Sequence, residues 1–219
     1  MFVLSKIEYK NFNERDVEVP AVIDFVKTKI AEGASSLLDV GGHYSYATYA
    51  KDLRAIMTDN SYDACDILPD PDTAQIVNKF WVGNVRDLGL SNYDLVISVS
   101  VIEHCGITTY KADDIENEQL CVVKSIMALA NKSVFLTFPY GEVGIFPGQF
   151  SNIHEKLLRR VEGAWFELKG VGAQIECRFF YNEFPWQPSP KPWVELNPQE
   201  ASLAPLGKCF CLFTASIGL

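Results

Sequence analysis

The stretch "LLDVGGHYSYATYAKDLRAIMTDN", residues 37–60, opens as an apolar run, breaks at Asp39 into Gly41 and Gly42, and reaches a second aspartate at Asp59. A strand that runs into an aspartate and paired glycines makes a tight turn where bare backbone can approach a ligand closely. An acidic side chain about twenty residues on, at the end of a second strand, can accept both hydroxyl hydrogens of a ribose. With strands at 35–40 and 54–59, the stretch describes a loop for a nucleoside-containing cofactor, held by Asp39, Gly41, Gly42 and Asp59. The plainer reading is a strand-to-helix turn at the glycines and a cap at Asp59. A dinucleotide fold requires G-x-G-x-x-G, which brings a helix N-terminus to the pyrophosphate. Here the run is Gly41, Gly42, His43, Tyr44, Ser45, Tyr46, so the second and third glycines of that pattern are missing.

Outward from this loop, short β-branched runs alternate with helical patterns, the mark of βα units around a parallel sheet. Further strands are expected at 80–83, 94–100 and 132–138, with helices at 21–31, 46–53, 72–78 and 115–130. Pro20 falls near the first turn of the helix at 21–31, where a missing N–H costs nothing. The last third holds a helical stretch at 151–168, a strand at "AQIECRFFY" and a final strand at "KCFCLFTAS". Between those two strands, prolines from Pro185 to Pro205 exclude regular structure through much of the insertion, although "NPQEASL" can open a short helix on Pro198.

A chain of 219 residues with 48% apolar content is long enough for one sizeable core and is most simply a single domain. We divide it into an N-terminal helical cap (1–34), a cofactor-binding core (35–141), and a sheet-completing C-terminal part with an acceptor-side insertion (142–219). No run approaches the roughly 20 apolar residues of a membrane span, and the N-terminus turns polar too early for a secretory signal, so a cytoplasmic protein is expected. Six cysteines without a C-x-x-C pair suggest neither a disulfide framework nor a zinc knuckle. With the histidines scattered and no H-E-x-x-H, no catalytic metal is expected either. A formal charge of −9 argues against nucleic acid as a partner, because phosphate backbones are bound through Lys and Arg. A small-molecule or glycan-type acceptor fits better.

Farther along, "NYDLVISVSVIEHCGI" and "KSVFLTFPYGE" complete a set of ordered motifs. Together with "DVGG" and "VGNVRDL" they resemble the class I S-adenosylmethionine-dependent methyltransferases, over about 35–141. The resemblance implies a Rossmann-like three-layer αβα sandwich with a seven-stranded, mostly parallel sheet whose last strand is antiparallel. It implies S-adenosyl-L-methionine as cofactor, with Gly41 and Gly42 near its methionine part, Asp59 on the ribose, Asn84 and Val85 facing adenine, and Ser100 at the end of the fourth strand. It departs from the family at His43, where a second spaced glycine is usual, and at Asn84, where an aspartate is common. "SVIEHCGITTYKADD" is similar to a largely uncharacterised subset associated with surface-polysaccharide gene products.

Methyl transfer from a sulfonium is an in-line displacement, so alignment and exclusion of water matter most. His104, after the fourth strand, is the candidate base for an alcohol acceptor, with Glu103 to orient it or to bond the turn. Tyr140 follows the fifth strand, either at the acceptor entrance or as a packed aromatic. His154, in a helical context, reads as solvated or capping. "RDVEVP" and the aromatic "RFFYNEFPWQPSPKPW", with Trp186 and Trp193, are the expected acceptor walls. The alternatives are a catalytically silent member kept as a binding scaffold, which His43 in the glycine loop would favour, and, less well supported, a nicotinamide-dependent oxidoreductase.

Overall fold

The apolar run before the glycines is strand β1 (Ser36–Val40), in a computed structural model that describes residues 14–43, 45–105, 115–140, 154–170, 173–182, 193–204 and 208–217. Ahead of it stands helix α1 (Arg15–Ala31), which begins before the expected start and carries Pro20 within it. Val17, Ala21, Val22, Phe25 and Val26 form a buried helical stripe. That stripe continues the helix through the proline, whose cost in a helix interior is about 3 kcal/mol.

The segment after the glycines corrects the reading above. Residues 54–59 do not form a strand: helix α2 (Ala50–Ile56) covers the first three, a turn the rest, and strand β2 is Ser61–Asp66. Ala50, Leu53 and Met57, all fully buried, recur at helical spacing on one face. Asp59 is therefore an exposed turn residue before β2, at the N-terminal end of the parallel strands, whereas the glycine loop leaves their C-terminal end. The acidic residue at the end of the second strand is Asp66.

Helix α3 (Pro71–Ala74) is a single turn capped by Asp70, shorter than expected, and leads into β3 (Lys79–Val82). There follow β4 (Tyr93–Val99), α4 (Ile115–Leu129), β5 (Ala130–Tyr140), α5 (His154–Lys169), β6 (Ala173–Tyr181), β7 (Val194–Leu196), α6 (Pro198–Ser202) and β8 (Cys209–Ile217). The strand order is β3-β2-β1-β4-β5-β8-β6-β7. Strands β1 to β5 pair in parallel, and β8 lies antiparallel between β5 and β6.

Among the described residues the sheet has eight strands rather than seven, because β7 adds to the outer edge of β6, with Tyr181 opposite Val194. Its three residues lie between Pro192 and Pro198, so neither proline removes a ladder donor. Trp193 anchors the strand, buried and edge-on to Phe210 at 5.1 Å. Just beyond, Asn197 and Glu200 form a capping box that starts α6.

Side chains alternate across the sheet into two cores. Leu37, Leu95 and Ile97 pack toward α1 and α2, whereas Leu38, Val96 and Val134 pack toward Val123 and Met127 of α4 and Trp165 of α5. This is the three-layer α/β arrangement. No helix among the described residues is long and apolar enough to cross a membrane.

Candidate functional site

Strand β1 lies between β2 and β4, so successive crossovers leave in opposite directions and a crevice opens at the C-terminal strand ends. It has two lobes that share Gly41, Asp66, Val101 and His104: one of about 390 Å³ extending to Asn84 and Glu118, the other of about 280 Å³ extending to Arg15 and Ser45.

Of the paired glycines, Gly41 lines both lobes and Gly42 neither, and packing fixes both. Gly41 has φ +87°, and a Cβ there would stand 2.1 Å from Val101 Cγ2. A Cβ on Gly42 would meet that of Ala64 at 2.9 Å. The Gly41 and Gly42 amides both donate to the Cys65 carbonyl, at 2.8 and 3.1 Å, which ties the loop to β2. Bare backbone at Gly41 faces both lobes.

Asp39 lines neither lobe. It is fully buried beneath the loop, accepting from Tyr49 Oη at 3.1 Å and Tyr62 Oη at 3.3 Å. Burial lifts its carboxyl to about 7, despite the two phenol donors. Its geometry is that of a support for the loop, not of a ligand contact.

Asp66 takes the strand-end position that Asp59 was expected to hold. Its Oδ2 accepts the His43 N–H at 3.1 Å and its Oδ1 the Leu68 N–H at 2.9 Å, which aims a half-buried carboxylate at both lobes. His43 contributes to the wall of the smaller lobe.

On the far side of the larger lobe, buried Val85 offers an apolar wall beside Asn84. Asn84 Oδ1 accepts from the Arg86 N–H at 3.1 Å, and Asn84 Nδ2 donates to Glu118 Oε1 at 3.4 Å. Arg86 and Glu118 pair at 2.9 Å, joining the loop after β3 to α4. Cys65 and Cys105 also line this lobe, but burial, chiefly, holds both thiols up at about 12. Neither presents a thiolate.

After β4 the chain turns at Ser100, with φ +51°, into a 3₁₀ turn at Ile102–His104. His104 reaches both lobes with its side chain 64% exposed, and partial desolvation followed by the Arg15 charge lowers its pKa. Glu103 is buried, its Oε1 lies 3.9 Å from His104 Nε2, and burial raises its carboxyl to about 8. At neutral pH the pair is a neutral acid beside a neutral imidazole, with no ion pair between them.

Tyr140 falls in the core rather than on the crevice wall: it is buried, with its ring 4.6 Å from that of Phe179. Trp193 is the packing anchor of β7, while Trp186 lies outside the described residues, as does the side chain of His154. Of the expected acceptor walls, the helical "RDVEVP" does reach the crevice, through Arg15. Sequence reasoning missed Asp66, Arg86 and Glu118. The Asp70-Pro71 helix start, which places a strand end just before it, was the signal that could have found Asp66.

No protein-family model matches the sequence, and neither does any curated protein. Solved structures do match. Magnesium protoporphyrin IX methyltransferase of Synechocystis, with bound SAM, matches at TM-score 0.51 and 13% identity over 96% of this chain and 87% of that one. The same enzyme with SAH matches at TM-score 0.52 and 14% identity, over 95% and 90%. The N-methyltransferase NodS of Bradyrhizobium japonicum, in complex with SAH, gives TM-score 0.51 and 10% identity over 94% and 89%. The chain has the fold of the class I SAM-dependent methyltransferases.

Proposed function

We propose that the protein is an S-adenosylmethionine-dependent methyltransferase acting on a small-molecule or glycan-type acceptor. The observation that carries this reading is the convergence, at the switch point of this fold, of the bare Gly41 backbone, the Asp66 carboxylate and the Asn84–Val85 edge around one crevice. Asp66 accepts the ribose hydroxyls, Val85 packs on the adenine face, and Asn84 meets the adenine edge. The smaller lobe takes the amino-acid end, with the Arg15 guanidinium as the cation for its carboxylate. The bound cofactor supplies an electrophilic methyl group on a sulfonium.

The chain's own part is alignment and proton handling. Val101, packed on Gly41, gives both lobes an apolar wall where they meet. His104, with its pKa lowered, is neutral at pH 7 and takes the proton of an acceptor hydroxyl on its imidazole. Glu103, protonated at that pH, adds no competing negative charge.

Calorimetric titration with S-adenosylhomocysteine and with nicotinamide adenine dinucleotide tests the reading. Saturable binding of the first and none of the second is expected. Wild-type protein that binds neither, while His43→Gly binds S-adenosylhomocysteine, would establish the silent-scaffold alternative, with the imidazole obstructing the smaller lobe.

A further inference from the structure

Helix α1 reaches the site through one buried carboxylate. Glu18 is fully buried yet charged in type, a placement that requires dedicated partners. Its Oε1 accepts from Ser100 Oγ at 2.7 Å and from Thr137 Oγ1 at 2.5 Å, and its Oε2 accepts from Arg15 at 2.9 Å. Thr137 in turn accepts the Ser100 N–H, on Oγ1 at 2.9 Å and on its carbonyl at 3.2 Å. Among the described residues Ser100 is the one non-glycine with positive φ, at 51°. Such a conformation persists only where the surroundings impose it, and here Glu18 and Thr137 grip the residue from two sides.

The direction of this turn determines where the next residues go. Val101 covers Gly41 so closely that no Cβ fits between them, and His104 reaches both lobes three residues later. Glu18 itself lines neither lobe. We propose that Glu18 is a positioning residue of the site: it holds Ser100 in the left-handed turn that seats Val101 on Gly41 and brings His104 to the crevice. This deepens the methyltransferase reading and rests on it for the ligand used as probe.

Three substitutions separate the turn from the other roles of Glu18. In Glu18→Gln the amide oxygen can still accept from Ser100 and Thr137, and only the Arg15 pair is lost. Glu18→Ala removes every contact. Ser100→Gly adopts a positive φ without help from a side chain. By calorimetry, Glu18→Gln is expected to bind S-adenosylhomocysteine within about threefold of wild type and Glu18→Ala at least about tenfold more weakly. The double variant Glu18→Ala/Ser100→Gly should regain most of the loss, a rescue that a merely structural contact would not show. The proposal is overturned if Glu18→Ala binds as wild type does, if Glu18→Gln is as weak as Glu18→Ala, or if the double variant recovers nothing.

If Glu18→Ala does not fold, Ser100→Ala and Ser100→Gly carry the test through the His104 Hε1 resonance, since Ser100 lines the smaller lobe and its own loss can alter affinity; the resonance should shift in the alanine variant and stay near its wild-type position in the glycine variant, and equal positions overturn the proposal. Absence of binding by wild type would instead defeat the methyltransferase reading. Positioning is then read from the His104 Hε1 resonance, which should shift in Glu18→Ala and return in the double variant. An unmoved resonance overturns it.

Discussion

Replacing Asp39 with asparagine should make the protein more stable at pH 8 and leave it little changed at pH 4. The native carboxyl, buried beneath the glycine loop, holds its proton to about 7, against an ordinary value of 3.8. Between those values the folded state binds more protons than the unfolded chain, so stability is fully present below pH 4 and falls as pH rises to 7. A separation of about three pH units, at roughly 1.4 kcal/mol each, amounts to about 4 kcal/mol. Asparagine does not ionise, and its amide oxygen can still accept from Tyr49 or Tyr62. The difference between variant and wild type isolates this residue, because other titrating groups, including Glu103 with its carboxyl raised to about 8, act in both proteins. Urea denaturation from pH 4 to 8 measures it: the gap should open by several kcal/mol toward pH 8. A gap that stays constant across the range refutes the buried, proton-holding carboxyl.

Asp66→Ala should weaken S-adenosylhomocysteine binding by about 1.5–3 kcal/mol, the scale of hydrogen bonds to a charged group, whereas exposed Asp59→Ala should change it by less than about 0.5 kcal/mol. Calorimetry on the two variants checks the pair, and the reverse ranking would return the ribose from Asp66 to Asp59. Gly41→Ala combines a positive φ with a Cβ 2.1 Å from Val101 and should cost about 2–4 kcal/mol in urea denaturation. Adding Val101→Ala should return the steric share alone, so full recovery in the double variant would mean that backbone conformation contributes nothing.

Strands β1, β3, β4, β5, β6 and β8 were legible because their apolar and β-branched runs can be read without context. Strand β2 was not. In "SYDACD" only Tyr62, Ala64 and Cys65 are buried, since Asp63 accepts the Tyr93 hydroxyl at 2.7 Å and Asp66 turns to the crevice. The neighbouring Ile56 and Met57 look more strand-like but complete a helical face. The same polar residues that concealed the strand serve the site, which moved the acidic candidate from Asp66 to Asp59. Strand β7, three residues among prolines, carries no periodicity to read. Glu18 and Ser100 are 82 positions apart, and only the packing of α1 on the sheet brings them together. Composition around either residue gives no hint of the other.

Strand β8 is later in sequence than every other strand, yet it occupies an interior place in the sheet, with Ser133 of β5 on one side and Gln174 of β6 on the other opposite Ser216. Until it arrives, β5 and β6 each expose an unpaired ladder, the kind of edge that recruits foreign strands. Assembly of this sheet is therefore finished from the middle, by the segment synthesised after both of its neighbours. During translation the helix-backed half bearing the crevice can order first, while β6 waits without its partner. Removing β8 would not trim the molecule at its margin; it would cut the sheet in two and leave two sticky borders where one continuous ladder had been.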